Sequence, residues 1–580
     1  MSVQAYGTPI PNRAGVFAQI VPPQTNYLSP AETSILGIVG TASWGPVNQA
    51  TPVGSPSNCT AQFGQVQNRK YDLVTAVNIA SQQGAQNMRC VRVTDGTDTA
   101  AAALLGLNGV PTLGGAGTGY AANDVITLAN GATIKVNTVS TGAVATFTQL
   151  TQPTSKVTGS VAQTSTTGSG TGATFTYVYT QGATIASKYT GSGANGDTVS
   201  IAVGAQAGTW KVLVFHAGLP TEVYDNIGLG LTGLALWTAI VAAVNNGNSQ
   251  RGASQIVALT VGTSTTAPSA QTATLAGGTD GATTITGTVL LGSDVSPRTG
   301  MYALRKSGAS VAMLADDDDY TTFATQMAYS LSEGTYMVAT GPQGETISSS
   351  IANKVTAGCD TYGVKVLLGD WCYWTDTYNG LPQRLVSPQA FIAGWIAANQ
   401  PQYSTLNKQL NGVVGTQKSV TNILYMDDEL SLLENAGVDV IGFSQFAPTY
   451  YSALTGHNAS SNPLIRGDNY TRMTNFIAAT LSSGLGTYIG YLQTASATDQ
   501  TRAEAKATLD AYFADLKTNG AIADFLVTLD TTNNTLVNIA AGKMQADILV
   551  QYASVVEKII ANVQGGQSVQ ITRVSTSSAV

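Results

Sequence analysis

The chain offers few residues that could do chemistry. Its histidines, His216 and His457, stand far from each other, and neither HExxH nor HxH occurs. No Cys/His cluster is present either, so no metal site is expected. His216 follows the apolar run 212–215 and reads as a strand-end residue, while His457, in Thr455-Gly456-His457-Asn458, reads as a polar loop. Cys59, Cys90, Cys359 and Cys372 form no CxxC pair. They fit reduced cytosolic thiols better than a disulfide frame.

Gly228-Leu229-Gly230-Leu231-Thr232-Gly233 matches GxGxxG ahead of a helical pattern. A dinucleotide site also needs a strand directly before the glycines and an acidic residue about 20 positions later. Tyr224-Asp225-Asn226-Ile227 is a poor strand, and the helix is followed by Asn245-Asn246-Gly247-Asn248-Ser249-Gln250, so no cofactor is expected. Neither GxxxxGK[ST] nor GxSxG occurs. Asp316-Asp317-Asp318-Asp319 could attract a divalent cation, but calcium loops space their ligands at alternate positions around a glycine. Solvated surface or a helix start is the expected reading. Asp427-Asp428-Glu429 opens a helical pattern, where carboxylates complement the helix dipole. Nothing nominates a catalytic pair, and the chain is not expected to be an enzyme.

The elements that would position these residues belong to several domains, as 580 residues exceed what one core usually serves. Charged residues make up 10% of the chain, against roughly a quarter in a typical soluble protein. So few charges imply long uncharged β surfaces or surface hidden in contacts. A net charge of −7 leaves no basic face for nucleic acid. Residues 1–15 carry no apolar run, so no secretory signal is expected. The longest apolar stretch, 231–244, is interrupted by Thr232, Gly233 and Thr238 and falls short of the roughly 20 residues that span a bilayer.

Residues 1–30 are Pro-rich, with one β-like run at 16–21. Residues 34–40 and 88–93 read as strands and 68–83 as a helix ended by Gly84. From 107 to 182 charges almost vanish, and short β-runs alternate with Gly-rich turns, which reads as an all-β insertion. Further strands (198–203, 210–215) and a helix (234–245) follow. From 301 onward helix and strand patterns alternate. Residues 502–517 place Leu509, Tyr512, Phe513 and Leu516 on one helical face, with Gly520 as the stop. Strands are expected at 524–529 and 544–552, and a β-like tail at 569–574. The expected fold is multi-domain α/β (α+β): a mixed-sheet core domain built from N- and C-terminal parts, with inserted β-rich domains. The expected divisions are an arm at 1–30, an α/β region at 31–106 plus 183–300, the insertion at 107–182, a main domain at 301–564, and an arm at 565–580.

Gly15-Val16-Phe17, residues 38–48, 189–196 and 277–281, and the C-terminal runs 520–525, 533–534 and 542–544, taken in that order, resemble the tail sheath family of contractile phages and related injection systems. Gly15-Val16-Phe17 is similar to the family's N-terminal PGVY arm, with Ala14 where Pro is usual. Residues 38–48, from Ile38 through Trp44-Gly45-Pro46 to Asn48, resemble its VGxAxxGPxN segment, and Val53-Gly54-Ser55 and Phe63-Gly64 follow at about its spacing. Residues 189–196 resemble an xPGxxGN loop; Gly277-Gly278-Thr279-Asp280-Gly281 with residues 299–304 is similar to the link GGxDG…tGLxAL. Residues 520–525, Asn533-Asn534 and Gly542-Lys543-Met544 keep the family's C-terminal order. Residues 371–420 depart from it, keeping only Ser387-Pro388 and Gly394 of a Pro-rich loop.

The resemblance implies a structural subunit that stacks as hexameric rings around a tail tube and contracts to drive the tube through the host envelope. It implies a homo-oligomer with tube, baseplate and tail terminator partners, placed in the virion tail after assembly in host cytoplasm. It implies neither direct nucleic-acid contact nor membrane insertion. Terminal arms would add strands to neighbouring subunits, here through Val16, Phe17 and Ile20 and through Val569, Ile571 and Val574. The residues suit this, as both runs are set apart by Pro-rich or Gly-Gly segments, and strand addition relies on main-chain hydrogen bonds. Tube-facing charges are expected at Glu557 and Lys558, on a helix, and at Arg502 and Lys506. The alternative reading is another β-rich virion protein of a baseplate, capsid or adhesion type.

Overall fold

The run Ile35–Gly40 is apolar throughout and buried on both faces, as a strand inside a parallel sheet should be. The computed structural model describes residues 2–5, 17–20, 28–420, 424–444, 449–561 and 563. They divide into two compact units, residues 31–479 and residues 1–30 with 480–580.

The larger unit is built on a six-stranded sheet in the order Val364–Leu367, Tyr336–Thr340, Val311–Leu314, Ile35–Gly40, Asn87–Arg92, Thr51–Val53. All neighbours are parallel except the last pair. Side chains alternate between two cores. Leu36, Ile38, Met313 and Val338 join the helices Leu73–Gln82 and Gln389–Ala398 on one face. Val39, Leu314, Met337 and Ala339 join Phe323, Tyr329 and Leu433 on the other. The first helix begins later than its pattern predicts. Tyr71 adopts a left-handed φ of 65°, and the Asp72 carboxylate then caps Thr75 N at 2.9 Å.

Between Arg92 and residue 281 the chain builds two further bodies, one inside the other. A middle body combines a three-stranded sheet (Val257–Val261, Ala183–Ser187, Ala102–Leu105), a four-stranded antiparallel sheet and the helix Gly233–Asn246. They close over Trp237, Tyr224, Val212 and Val214. Within it, residues 108–180 form a Thr-rich body, a six-stranded antiparallel sheet around Phe175, Ile134, Ile126 and Tyr120. The GxGxxG stretch does follow a strand, Glu222–Ile227, contrary to the sequence reading. That strand pairs antiparallel to Trp210–Phe215, so the parallel βαβ unit of a dinucleotide fold is absent there.

In the smaller unit, the helix Gln500–Thr518 buries Leu509, Tyr512, Phe513 and Leu516, the face expected from their spacing. Gly520 takes φ 70° just past its end. The helix lies on a two-stranded antiparallel sheet, Ile522–Thr528 with Asp547–Tyr552, where Phe513 and Phe525 stack 5.6 Å apart. Ser2–Ala5 pairs in parallel with Phe17–Ile20. Residues 553–561 form neither helix nor strand. The helix expected around Glu557 and Lys558 is therefore corrected. The β-branched residues Val555, Val556, Ile559 and Ile560 that flank those charges lose side-chain freedom in a helix.

Candidate functional site

An open parallel sheet normally binds ligands at the carboxyl ends of its strands, where the strand order reverses. Here that point lies between Ile35–Gly40 and Val311–Leu314, and the chain itself fills it. Thr41 N donates to Tyr71 O at 2.7 Å, and Leu73 N donates to Thr41 O at 2.9 Å. Asp316, at φ 53°, accepts from Tyr71 N and Ser387 N at 3.2 and 3.3 Å. A side chain at Gly40 would meet Tyr71 O at 2.7 Å, so glycine is what lets the loop close.

The four-aspartate run is thus not solvated surface. Asp319 caps the turn Tyr320–Thr322, and Asp318 pairs with Lys70 at 2.7 Å. Asp317 is buried and accepts from Thr322 Oγ1 and Gln326 Nε2 at 2.8 and 3.1 Å. Burial pushes its carboxyl up to about 7, against the pull of the Thr322 bond, and pushes Asp72 up to about 6. Among the described residues no group of three or more His, Cys, Asp or Glu could hold a metal ion. No described helix is long and apolar enough to cross a membrane.

A groove of about 750 Å3 opens at the carboxyl ends of Tyr336–Thr340 and Val364–Leu367, lined by Glu345, Ile347, Ile351, Asp370, Lys418 and Tyr425 among others. Its carboxylates are engaged internally. Tyr425 OH donates to Asp370 at 2.8 Å, Lys418 reaches Glu429 at 2.7 Å, and Tyr320 OH donates to Glu345 at 2.9 Å.

Three of the segments that carry the family resemblance, residues 38–48, 189–196 and 277–281, meet at the junction between core and middle body. Arg92, fully buried, donates from Nη1 to Gly45 O at 2.9 Å and Thr190 O at 2.7 Å, and from Nη2 to Asp280 O at 3.2 Å. One guanidinium thereby ties residues 38–48, 189–196 and 277–281 together. Burial lowers its pKa to about 10, which leaves it charged. Asp280 accepts from Ser192 N at 2.6 Å and pairs with Arg69 at 2.5 Å. Asn195 and Gly278 exchange two hydrogen bonds, 2.8 and 3.0 Å. Gly193 N reaches Ser43 O at 2.8 Å.

Trp44 is the hydrophobic part of this junction. Its Nε1 donates to Ser187 Oγ at 3.1 Å, and its ring stacks on His216 at 4.1 Å. His216, buried, has Nδ1 2.8 Å from Asp197 Oδ2. His457 is also buried, and its carbonyl accepts from Lys365 Nζ at 3.0 Å. Lys365 sits on an apolar strand beside Asp439 at 2.6 Å and Asp468 at 3.0 Å, all three without exposure. Sequence patterning missed Arg92 and Lys365 because isolated charges in strands read as solvent-facing. The only signal was the apolar neighbours on either side, Val91 and Val93 for Arg92 and Val364 and Val366 for Lys365.

The residues expected in contacts fall in the smaller unit. Phe17 and Ile20 lie on a strand paired within its own segment. Val16, Val569, Ile571 and Val574 lie outside the described residues. Arg502 is corrected: it is buried, donating to Ser496 O beside its own helix cap, so its charge is spent internally. Lys506 remains at the surface, with Asp510 at 2.8 Å and Val527 O at 3.1 Å. Glu557 and Lys558 are exposed on residues 553–561. Sequence patterning also missed the apolar surface here: Ile489 is 84% exposed, Leu492 89%, Ile559 88% and Ile560 84%.

Comparison with known proteins bears on these features. Residues 460–565 match the sequence profile of the phage tail sheath C-terminal domain. The fold is similar to that of a sheath tail protein from Desulfitobacterium hafniense, with TM-score 0.50 and 13% identity over 93% of this chain and 100% of that one. It is also similar to a sheath tail protein from Listeria innocua, with TM-score 0.52 and 12% identity over 90% and 96%. No curated protein sequence matches the chain. The fold is the multi-domain α/β fold of sheath tail proteins. With the C-terminal match, it supports a tail sheath family for this chain.

Proposed function

We propose that the chain is the structural subunit of a contractile tail sheath. It polymerises as stacked hexameric rings around a tail tube, and contraction of the stack drives the tube through the host envelope. The observation that carries this reading is the apolar surface of the C-terminal region, the one matched to the sheath C-terminal domain. Ile489, Leu492, Ile559 and Ile560 are each more than four-fifths exposed. Contact with a neighbouring copy would take these side chains out of water. Burying the four side chains would contribute roughly 6–12 kcal/mol per subunit before ordering costs.

Among the described residues the sheet Ile522–Thr528/Asp547–Tyr552 has two strands, so each of them is an edge strand. Such edges accept added strands through main-chain hydrogen bonds. In this proposal they receive the terminal arms of neighbouring copies: the N-terminal run with Val16, Phe17 and Ile20, and the C-terminal run with Val569, Ile571 and Val574. Lys506, Glu557 and Lys558 are the charges left to face the tube. Baseplate and terminator proteins would cap the stack, assembled in host cytoplasm and carried in the virion tail.

Negative-stain imaging of the purified full chain tests the reading, with hollow striated cylinders expected. Removal of residues 566–580 should leave a soluble monomer without tubes. Tubes of normal length from that truncation would refute the arm assignment, and an absence of cylinders from the full chain with its tube protein would refute the sheath reading.

A further inference from the structure

The chain crosses between core and middle body at 94–101 and 275–281, and between middle body and Thr-rich body at 105–108 and 180–183. The two necks differ in construction. At the first, Thr99 and Thr279 exchange backbone bonds of 3.1 and 3.2 Å, and Ala102 and Ala276 bonds of 2.9 and 3.1 Å. Asp95 Oδ2 accepts from Thr283 N and Thr284 N at 3.1 and 2.9 Å. Arg92, the Asp280–Arg69 pair and the Trp44–His216 stack surround this ladder with directional, mostly buried contacts. Separating such charges would leave them unpaired in a low-dielectric interior, a change that typically costs several kcal/mol.

The second neck also carries an antiparallel ladder, with Leu105 opposite Ala183 and Asn108 opposite Thr180, but among the described residues no buried guanidinium surrounds it. Among the described residues no ion pair joins the Thr-rich body to the rest of the unit. Gly182 N donates to Leu105 O at 2.9 Å, Ser264 N to Gln181 O at 2.9 Å, and Asn108 Nδ2 to Ser264 Oγ at 3.2 Å. Two glycines, Gly106 (φ 60°) and Gly182, lie directly on the Trp237 indole, where a Cβ would stand 2.5 and 2.1 Å from the ring. A flat apolar ring beneath side-chain-free backbone offers contact without direction.

We infer that core and middle body are clamped into one rigid piece at Trp44 and Arg92, and that the Thr-rich body pivots on the Gly106–Gly182 neck against Trp237. This is independent of the assembly reading, as every contact lies within one subunit.

Hydrogen exchange on the purified full-length chain tests it. Amides of Thr99, Ala102, Ala276 and Thr279 should exchange at least about tenfold more slowly than those of Gly182, Gly262 and Ser264. Trp44→Ala should speed the first set about tenfold, leave the strands of the Thr-rich body unchanged, and be largely rescued by Trp44→Phe, which keeps a ring for the stack. Should Trp44→Ala not fold, Asp280→Asn takes its place, with a rise of about threefold in the same amides. Equal protection at the two necks, or first-neck exchange unchanged in the variant that folds, would overturn the inference.

Discussion

The rings of Trp44 and His216 lie 4.1 Å apart, centroid to centroid, with 27° between their planes. Trp44 follows the core strand Ile35–Gly40 and packs in the apolar cluster of the middle body, and His216 follows that body's strand Trp210–Phe215, where Asp197 holds its Nδ1 at 2.8 Å. The imidazole therefore serves both as a stacking face and as the partner of a buried carboxylate. His216→Phe keeps the face and abandons Asp197. It should lower stability by about 2 kcal/mol, the cost of a buried acceptor left unpaired. Adding Asp197→Asn should recover most of that loss. Thermal unfolding of both single variants and the double variant checks it; a double variant no more stable than His216→Phe would show that the pair itself is not what matters.

Two buried carboxyls make the core sensitive to pH in a direction opposite to ordinary acid denaturation. Asp317 and Asp72 have folded pKa values raised to about 7 and about 6. Between about pH 4 and 7 the folded chain keeps protons that the unfolded chain has released, so this contribution to stability is lost as pH rises through that window. Asp317→Asn keeps an acceptor for Thr322 and Gln326 and removes the charge. The variant should be more stable than the parent by about 2 kcal/mol at pH 8, and the gap should close below pH 5. Unfolding midpoints at the two pH values decide it; an equal gap at both would locate the effect elsewhere.

Lys365 meets Asp439 and Asp468 with no exposure on any of the three. Opposite charge holds Asp439 below the usual carboxylate range in spite of burial, and the two carboxylates hold Lys365 above its ordinary value. Lys365→Met keeps the length of the stem but strands two carboxylates. A loss of about 3–5 kcal/mol is expected, enough to reduce soluble yield. Replacing all three together by Met, Asn and Asn should cost far less. Soluble expression and midpoint measurements on the single and triple variants separate the two outcomes.

How much of this was readable from sequence follows from the kind of force involved. The unbroken apolar runs of Ile35–Gly40 and Val311–Leu314, and the 3.6-residue face of Gln500–Thr518, are properties of local pattern and were visible. The Thr-rich body announced itself through vanishing charge between Gly-rich turns. Long-range pairing left little local trace. Arg92 is surrounded by residues 45, 190 and 280, far apart in the chain. The poor β-propensity of Tyr224-Asp225-Asn226-Ile227 was overridden by cross-strand partners at Trp210 and Val212. The apolar residues of the C-terminal unit looked like ordinary core until their exposure was known.

The helices Leu73–Gln82 and Gln389–Ala398 touch where Gly394 faces Ala80. A Cβ on Gly394 would stand 2.6 Å from Ala80 Cα and 2.8 Å from Ala80 O. Both are backbone atoms in a helix, so neither can move aside alone. Gly394→Ala therefore loses more through overpacking than it gains in helix propensity, with a net cost of about 1–3 kcal/mol. Ala80→Gly alongside it would not restore the fit, because the clash is with backbone. Circular dichroism melts of the two variants test this, and a stabilised Gly394→Ala would mean that the helices part more easily than their geometry implies.

Ile559 and Ile560, on residues 553–561, have most of their surface in water within one subunit. A change there cannot open a cavity in the fold, and such surface substitutions usually stay within about 0.5 kcal/mol. In an assembly that buries them, replacing both by Asp would place two charges in an apolar interface, where an unpaired charge is disfavoured strongly. Ile559→Asp/Ile560→Asp should accordingly melt like the parent yet sediment as a monomer under conditions where the parent polymerises. The arrangement separates folding from assembly, because side chains that stabilise nothing in the lone subunit can be lost without harm to it. Normal polymer from the double variant would mean that these isoleucines face solvent in the assembled state as well, and that the apolar surface around Ile489 and Leu492 alone joins the copies.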